Sequence, residues 1–305
     1  MDVIDLVGNT PLIEFRHIAN EAARVRLLAK AEFMNPSGSV KDRAARGMLL
    51  DGIARGSLVP GKTIIDATSG NTGVAYAMIG AALGYPVVIY LPQGTSPERK
   101  RMIRYYGASI VETDPLEGSD GSYLAVREEI KAHPGRYFYP DQYNNPANPA
   151  AHVSGTGAEI WTQTGGEVTH FITGMGTSGT FMGVSRKLKQ ENPSVKTLAV
   201  QPDSPFHGID GVRHVASSMK PGILDEAIAD GIITVTTELA YEMTRRLAKE
   251  EGLFVGVSSG ANVAAALTLA KRLEPGAVIV TILCDGGSRY LSDSFWNDEA
   301  QRIDD

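Results

Sequence analysis

Cysteine is nearly absent. Cys284 is the one thiol in 305 residues, which excludes an intramolecular disulfide and fits a reducing compartment. Histidine is scarce as well, and none of the six pairs with another histidine or with Cys284 at ligand spacing, so no metal site is expected. Positive charge is outnumbered, 29 Lys and Arg against 35 Asp and Glu, and the net charge of -6 argues against nucleic acid or an anionic membrane as partner. The one basic cluster, Arg99, Lys100, Arg101 and Arg104, has helical spacing and reads as a solvated face. No membrane-length apolar run survives inspection. Residues 74–91 come nearest, but Gly84-Tyr85-Pro86 splits them into a small-residue helix and a short strand. The opening Met1-Asp2-Val3-Ile4-Asp5 lacks the basic n-region of a signal peptide. These absences together predict a cytoplasmic protein.

What the chain does contain is enzyme-like: 43% hydrophobic and 21% charged residues, with 33 glycines. Its length suits two domains or one large α/β unit. Short apolar strands at about 12–15, 25–32, 63–67, 87–91 and 109–111 alternate with helices from about 41, 74, 97 and 119. That alternation predicts an α/β fold with a largely parallel sheet. The run 140–149, with three prolines and three asparagines, reads as irregular and as a domain boundary. Beyond it come a helix at 155–164, strands at 168–173 and 196–200, and a long loop at 203–222. Two further βα units are expected on strands 253–257 and 278–283. No internal repeat is visible.

Asn35-Pro36-Ser37-Gly38-Ser39 sets a turn, and Lys41 follows at a helix start. A lysine there faces the positive end of the helix dipole, which works against its charged form, and a neutral amine is the nucleophile that makes Schiff bases. A surface lysine has the same local sequence, so the motifs downstream must decide. Gly56-Ser57-Leu58-Val59-Pro60-Gly61-Lys62-Thr63 spells a P-loop, but a helix precedes it and a strand follows, the reverse of what phosphate binding needs. Gly256-Val257-Ser258-Ser259-Gly260 spells a nucleophile elbow, yet no histidine follows His214 to serve it. Gly174-Met175-Gly176-Thr177-Ser178-Gly179-Thr180 does follow a strand and open a helix. With Asp203 beyond the next strand it admits a dinucleotide-dependent oxidoreductase, although its hydroxyls say phosphate more firmly than they say which cofactor. Thr68-Ser69-Gly70-Asn71-Thr72-Gly73 is either ordinary capping or, through free amides and hydroxyls, a carboxylate site.

A Schiff-base lysine, a carboxylate turn, a phosphate loop and a Ser-Ser-Gly turn, in this order, resemble the cysteine synthase family. The resemblance runs from Gly8-Asn9-Thr10-Pro11-Leu12 to Asp285-Gly286-Gly287-Ser288-Arg289-Tyr290-Leu291-Ser292. The phosphate loop, His152, Trp161 and the closing Cys-Asp-Gly-Gly-Ser-Arg-Tyr-Leu are most like the cysteine synthase B branch. It implies the two-domain fold of tryptophan-synthase-β type (fold type II), with parallel-rich twisted sheets covered by helices. Residues 36–145 would form a smaller mobile domain for the substrate carboxylate, and 1–35 with 146–305 the larger, phosphate-binding one. The implied cofactor is pyridoxal 5'-phosphate, joined to Lys41, which would also carry the Cα proton. Asn71 would bond the pyridoxal 3'-oxygen, Gly176, Thr177, Ser178, Gly179 and Thr180 would cradle the phosphate, and Ser258 would face the pyridine nitrogen. Thr68, Ser69, Thr72 and Gln142 would hold the substrate carboxylate, with Arg213 at the mouth. The implied reaction replaces the β-substituent of an O-activated serine, through an α-aminoacrylate, with sulfide or thiosulfate, giving cysteine or S-sulfocysteine. O-acetylserine is the expected ester, O-phosphoserine the alternative, and a homodimer the implied assembly. A non-catalytic binding protein of this fold would be expected to lack Lys41.

Overall fold

The structure, a computed structural model of the chain, describes residues 1–22, 24–68 and 70–296. In chain order its elements are β1 (Leu12–Glu14), β2 (Arg26–Ala31), α1 (Lys41–Ala54), β3 (Thr63–Ala67), α2 (Asn71–Leu83), β4 (Val87–Pro92) and α3 (Pro97–Tyr105). There follow β5 (Ser109–Thr113), α4 (Gly118–Ala132), β6 (Tyr137–Phe138), α5 (Ala147–His152), α6 (Ala158–Gln163), β7 (His170–Gly174) and α7 (Gly179–Glu191). The remainder comprises β8 (Lys196–Pro202), β9 (Gly231–Val235), α8 (Thr237–Glu251), α9 (Val257–Ala270) and β10 (Val278–Leu283).

The strands form two sheets. The larger has the order β1-β2-β10-β7-β8-β9 and is parallel except for β1; the smaller, β5-β4-β3-β6, is parallel throughout. Parallel strands covered on both faces must be apolar along their whole length. Val278 to Leu283 in β10 is buried at every position, and Ile279, Val280, Ile282 and Leu283 expose nothing. At roughly 1.5–3 kcal/mol for each such side chain, this central strand anchors the larger core. Residues of α8 and α9 pack one face of that sheet, and Ile160 of α6 with Phe181, Met182 and Leu188 of α7 pack the other. The smaller sheet lies between α1, α2 and α3 on one side and Tyr123 and Val126 of α4 on the other.

Three expectations are corrected. The apolar run 253–257 is no strand: only Val255 makes a bridge, to Gly286, and Gly256 already caps α9. A short apolar run reads alike as a buried strand or a buried connector, and this one finds no sheet neighbour. The strand in that region is β9, on the sheet edge, followed by α8. Second, the proline-rich run is only partly irregular. Helix α5 begins at Ala147 and continues through a π-helical turn, Val153–Gly157, into α6. Third, Arg99 of the basic cluster is buried, not solvated; Lys100 and Arg104 of the same helix reach Glu112.

In a sheet of parallel strands the loops after the strand ends converge on one edge, where ligands bind. Here those loops follow β3, β7, β8 and β10. They carry the 68–73 turn, the 174–180 loop, the 203–222 loop and the segment from Cys284 to Tyr290.

Candidate active site

Lys41 is the first residue of α1, and its approach is held from two directions. Val40 N–H donates to the Cys284 carbonyl at 2.8 Å, tying the turn to the end of β10. Asp42 receives the Ser37 N–H at 2.6 Å and the Ser37 hydroxyl as well, closing the turn beneath the lysine. Burial pushes the Asp42 carboxyl up to about 6, against the pull of Ser37 and Arg289. Gly38 sits at φ 88°, a left-handed conformation that suits glycine, and a Cβ there would meet Arg289 Nη2 at 3.0 Å.

The turn after β3 places Thr68, Asn71 and Thr72 together; Ser69 lies outside the described residues. Thr68 Oγ1 accepts the Gly70 N–H at 3.1 Å. Thr72 donates its hydroxyl to Gln142 Oε1 at 2.9 Å, and Gln142 Nε2 donates to the Ala67 carbonyl at 2.8 Å. Gln142 thus joins the turn although it lies far along the chain. The first N–H groups of α2 have no acceptor within the helix, and Thr68 and Thr72 line a common cavity, an environment for a carboxylate. Asn71 is gripped from both sides, by Asp285 at 2.6 Å and by Arg289 at 2.5 Å.

After β7 the Gly174 N–H donates to Asn262 Oδ1 at 2.7 Å, and Ser178 adopts φ 72° before α7 begins. Such a conformation is uncommon for a side-chain-bearing residue and marks functional turns. Two glycines leave no room for anything larger. A Cβ on Gly176 would lie 2.5 Å from the Gly211 carbonyl, and one on Gly179 would overlap the Asn148 amide. Asn148 Nδ2 donates to Thr177 Oγ1 at 3.2 Å, and Thr180 Oγ1 meets His152 Nε2 at 3.3 Å. His152 is held well below its ordinary range by burial, then by Arg43 and Lys41, so the imidazole beside Thr180 is neutral.

Ser258 lies in the first turn of α9, buried, beside Cys284. Burial and then Asp285 push the Cys284 thiol up to about 11, so the thiol beside Ser258 is uncharged. At the mouth, Arg213 Nη2 donates to the Tyr143 hydroxyl at 2.7 Å, its guanidinium lies 4.7 Å from the Tyr143 ring centroid, and Asp120 stands 3.5 Å away. Arg99 pairs with Asp210 at 2.5 Å and lies 4.6 Å from the Tyr290 ring centroid.

One cavity of about 390 Å³ is lined by Lys41, Thr68, Asn71, Thr72, Gln142, Gly176, Thr177, Ser178, Gly179, Thr180, Arg213 and Ser258. Every expected site residue that is described therefore meets the others. Arg99, Tyr143, Asp210, Cys284 and Tyr290 line it unforeseen. Arg99 was hidden in a cluster with helical spacing, and Asp210 in a loop without a motif.

A lysine opening a helix shares its cavity with a glycine turn rich in amides and hydroxyls, as a pyridoxal-phosphate enzyme requires, and residues 3–285 match the model described as "Pyridoxal-phosphate dependent enzyme". The chain is 51% identical to the cysteine synthase of Aquifex aeolicus over 97% of its length and 92% of the relative's. It is 43% identical to cysteine synthase B of Pseudomonas aeruginosa, covering 97% of each. The solved cysteine synthase of Entamoeba histolytica superposes with a TM-score of 0.92 at 37% identity, over 97% of this chain and 90% of that one. A solved O-ureido-L-serine synthase gives 0.91 at 38%, over 99% and 98%. This chain belongs to the cysteine synthase family of pyridoxal-phosphate-dependent enzymes, with their type II fold. Its residues fit the cofactor in their donor set: the hydroxyls of Thr177, Ser178 and Thr180 line one cavity with Lys41, and the Cys284 thiol beside Ser258 is neutral.

Proposed function

We propose that this chain is a cysteine synthase that replaces the acetyl ester of O-acetylserine with sulfur from sulfide or thiosulfate. The observation that carries this reading is the meeting of Lys41, the 68–72 turn and the 174–180 loop in one cavity. When bound, pyridoxal phosphate supplies an electron sink for the pair left at Cα. The amides and hydroxyls of Gly176 to Thr180 would hold its phosphate, Lys41 would anchor it through its amine, and Asn71 would donate to its ring oxygen. Ser258 offers the ring nitrogen a neutral hydroxyl rather than a carboxylate. That tunes the sink weakly, which suffices when the Cα proton leaves as a good β-leaving group departs.

Thr68, Ser69, Thr72 and Gln142 orient the substrate through its α-carboxylate. The Lys41 amine would take the Cα proton of the bound substrate, and the β-substituent would depart toward the Arg213 side. Residues 36–145 act as the smaller, mobile domain. Carboxylate binding draws the 68–72 turn inward and excludes water from the reacting carbons. We place the enzyme in the cytoplasm as a homodimer; among the described residues no helix is long and apolar enough to cross a membrane.

The test is spectroscopic and kinetic. Purified protein is expected to show a visible cofactor band that Lys41→Ala abolishes, and to make cysteine from O-acetylserine and sulfide. A colourless protein that takes up no pyridoxal phosphate would overturn the reading.

A further inference from the structure

We propose that Arg289 and Asp285 are positioning residues that lock the amide of Asn71 in a single orientation, so that it offers the cofactor a donor and never an acceptor. The inference rests on the placement of Asn71 at the cofactor's ring oxygen.

An asparagine amide keeps its shape when its oxygen and nitrogen exchange places, so orientation must be imposed by its neighbours. At Asn71 the two neighbours have opposite chemistry. Arg289 has only donors, and its Nη1 lies 2.5 Å from Asn71 Oδ1. Asp285 as a carboxylate only accepts, and its Oδ2 lies 2.6 Å from Asn71 Nδ2. A half-turn of the amide would set N–H against N–H and oxygen against oxygen, making both contacts repulsive. In the observed orientation one Nδ2 hydrogen goes to Asp285 and the other remains for the cavity that Asn71 lines. A turned amide would present its carbonyl to an electron-rich oxygen.

The lock is itself fixed. Asp285 exposes no surface, and its Oδ2 also receives the Tyr290 hydroxyl at 2.6 Å. Arg289 is buried, and its Nη2 donates to the Ser37 carbonyl in the turn that leads to Lys41. One guanidinium thus ties the approach to Lys41 to the amide of Asn71. A lysine head has no fork with which to serve both.

The test uses the full-length chain, stripped of cofactor and titrated with pyridoxal phosphate while absorbance and fluorescence are followed. Wild type, Asn71→Ala, Arg289→Met and the double variant form a cycle. Asn71→Ala is expected to weaken cofactor binding by about tenfold, the worth of one charge-assisted hydrogen bond, and to move the bound cofactor's visible band toward the near ultraviolet. Arg289→Met should reproduce both changes alone and add less than about twofold in the Asn71→Ala background. Where Arg289→Met yields no folded protein, Arg289→Lys carries the same comparison. Equal losses in both backgrounds, or an Arg289 variant with an unmoved band, would overturn the lock while leaving Asn71 on the cofactor. An Asn71→Ala protein with unchanged affinity and band would remove Asn71 from the cofactor, and the lock with it.

Discussion

Asp66 places a carboxyl group with no exposed surface in the centre of the smaller sheet, where the Tyr76 hydroxyl donates to it at 2.9 Å and the Ala67 N–H at 2.8 Å. Burial pushes it up to about 7 from 3.8 in spite of those donors, and Asp141 adds to the rise. Between those values the folded chain holds a proton that the unfolded chain has lost. Stability from this group is therefore full below the lower value and falls as pH rises to the upper one. Asp66→Asn removes the titration. Its stability relative to wild type is expected to improve by on the order of a few kcal/mol between pH 4 and 7 and to hold steady above that. Urea midpoints at several pH values check this, and parallel wild-type and variant curves would show that Asp66 ionises alike in both states. Nothing in Thr-Ile-Ile-Asp-Ala betrays such a group, because burial on both faces depends on helices elsewhere in the chain. Lys41, Asn71 and Thr177 were legible because each sits in a contiguous turn whose chemistry is local. Arg289 stood in a motif that suggested no role until its partners, Ser37 and Asn71, were brought to it by the fold.

Helix α1 shows how an element is aimed. Its Arg43 forks onto Glu32 at 2.7 and 2.9 Å and onto Glu159 at 2.6 and 2.7 Å, joining the helix that begins with Lys41 to the turn after β2 and to α6. Lys30 adds a contact to Glu159 at 2.6 Å. Burial alone would raise the Glu159 carboxyl, yet Arg43 and Lys30 hold it down to about 2. Glu32 exposes no surface, so Glu32→Gln takes from the buried Arg43 one of its two carboxylate partners and leaves Glu159 to serve both Arg43 and Lys30. Because Glu159 still serves Arg43, the loss is expected to cost on the order of 2 kcal/mol, less than the ~3–5 kcal/mol of a buried charge left without a partner, to be read from chemical unfolding at neutral pH. A cost below about 1 kcal/mol would mean that the network fixes direction without adding stability. The α/β alternation was legible because buried parallel strands leave continuous apolar runs between glycine and hydroxyl turns. The two-residue β6 and the edge strand β9 were too short or too exposed to stand out, and the run at 253–257 imitated a strand. Sheet order was not legible at all, since β2 pairs with β10 from the far end of the chain.

At the scale of the molecule, the site cavity is lined by two arginines, the buried Arg99 and Arg213, and each has a carboxylate beside it. Arg99 is engaged by Asp210 at 2.5 Å. Arg213 has the Tyr143 hydroxyl at 2.7 Å and the half-exposed Asp120 at 3.5 Å. A dianionic leaving group would have to displace or share these partners, whereas an acetyl ester need not. We therefore expect kcat/KM for O-acetylserine to exceed that for O-phosphoserine. Asp120, 3.5 Å from Arg213, is expected to set part of that preference by offsetting the Arg213 charge. An exposed pair of this kind is worth about 0–1 kcal/mol, so Asp120→Asn is expected to raise kcat/KM for O-phosphoserine and for thiosulfate up to about fivefold. Turnover of O-acetylserine with sulfide should stay within about twofold, because neither is a strong dianion. The gain should shrink as salt is added, since it is electrostatic and close to solvent. Arg213→Ala should cost thiosulfate more than sulfide, as a guanidinium fork suits an oxyanion and adds little for a small thiol. A wild-type enzyme that prefers O-phosphoserine, with the preference collapsing in Arg213→Ala, would reverse the assignment and make Arg213 the leaving-group clamp.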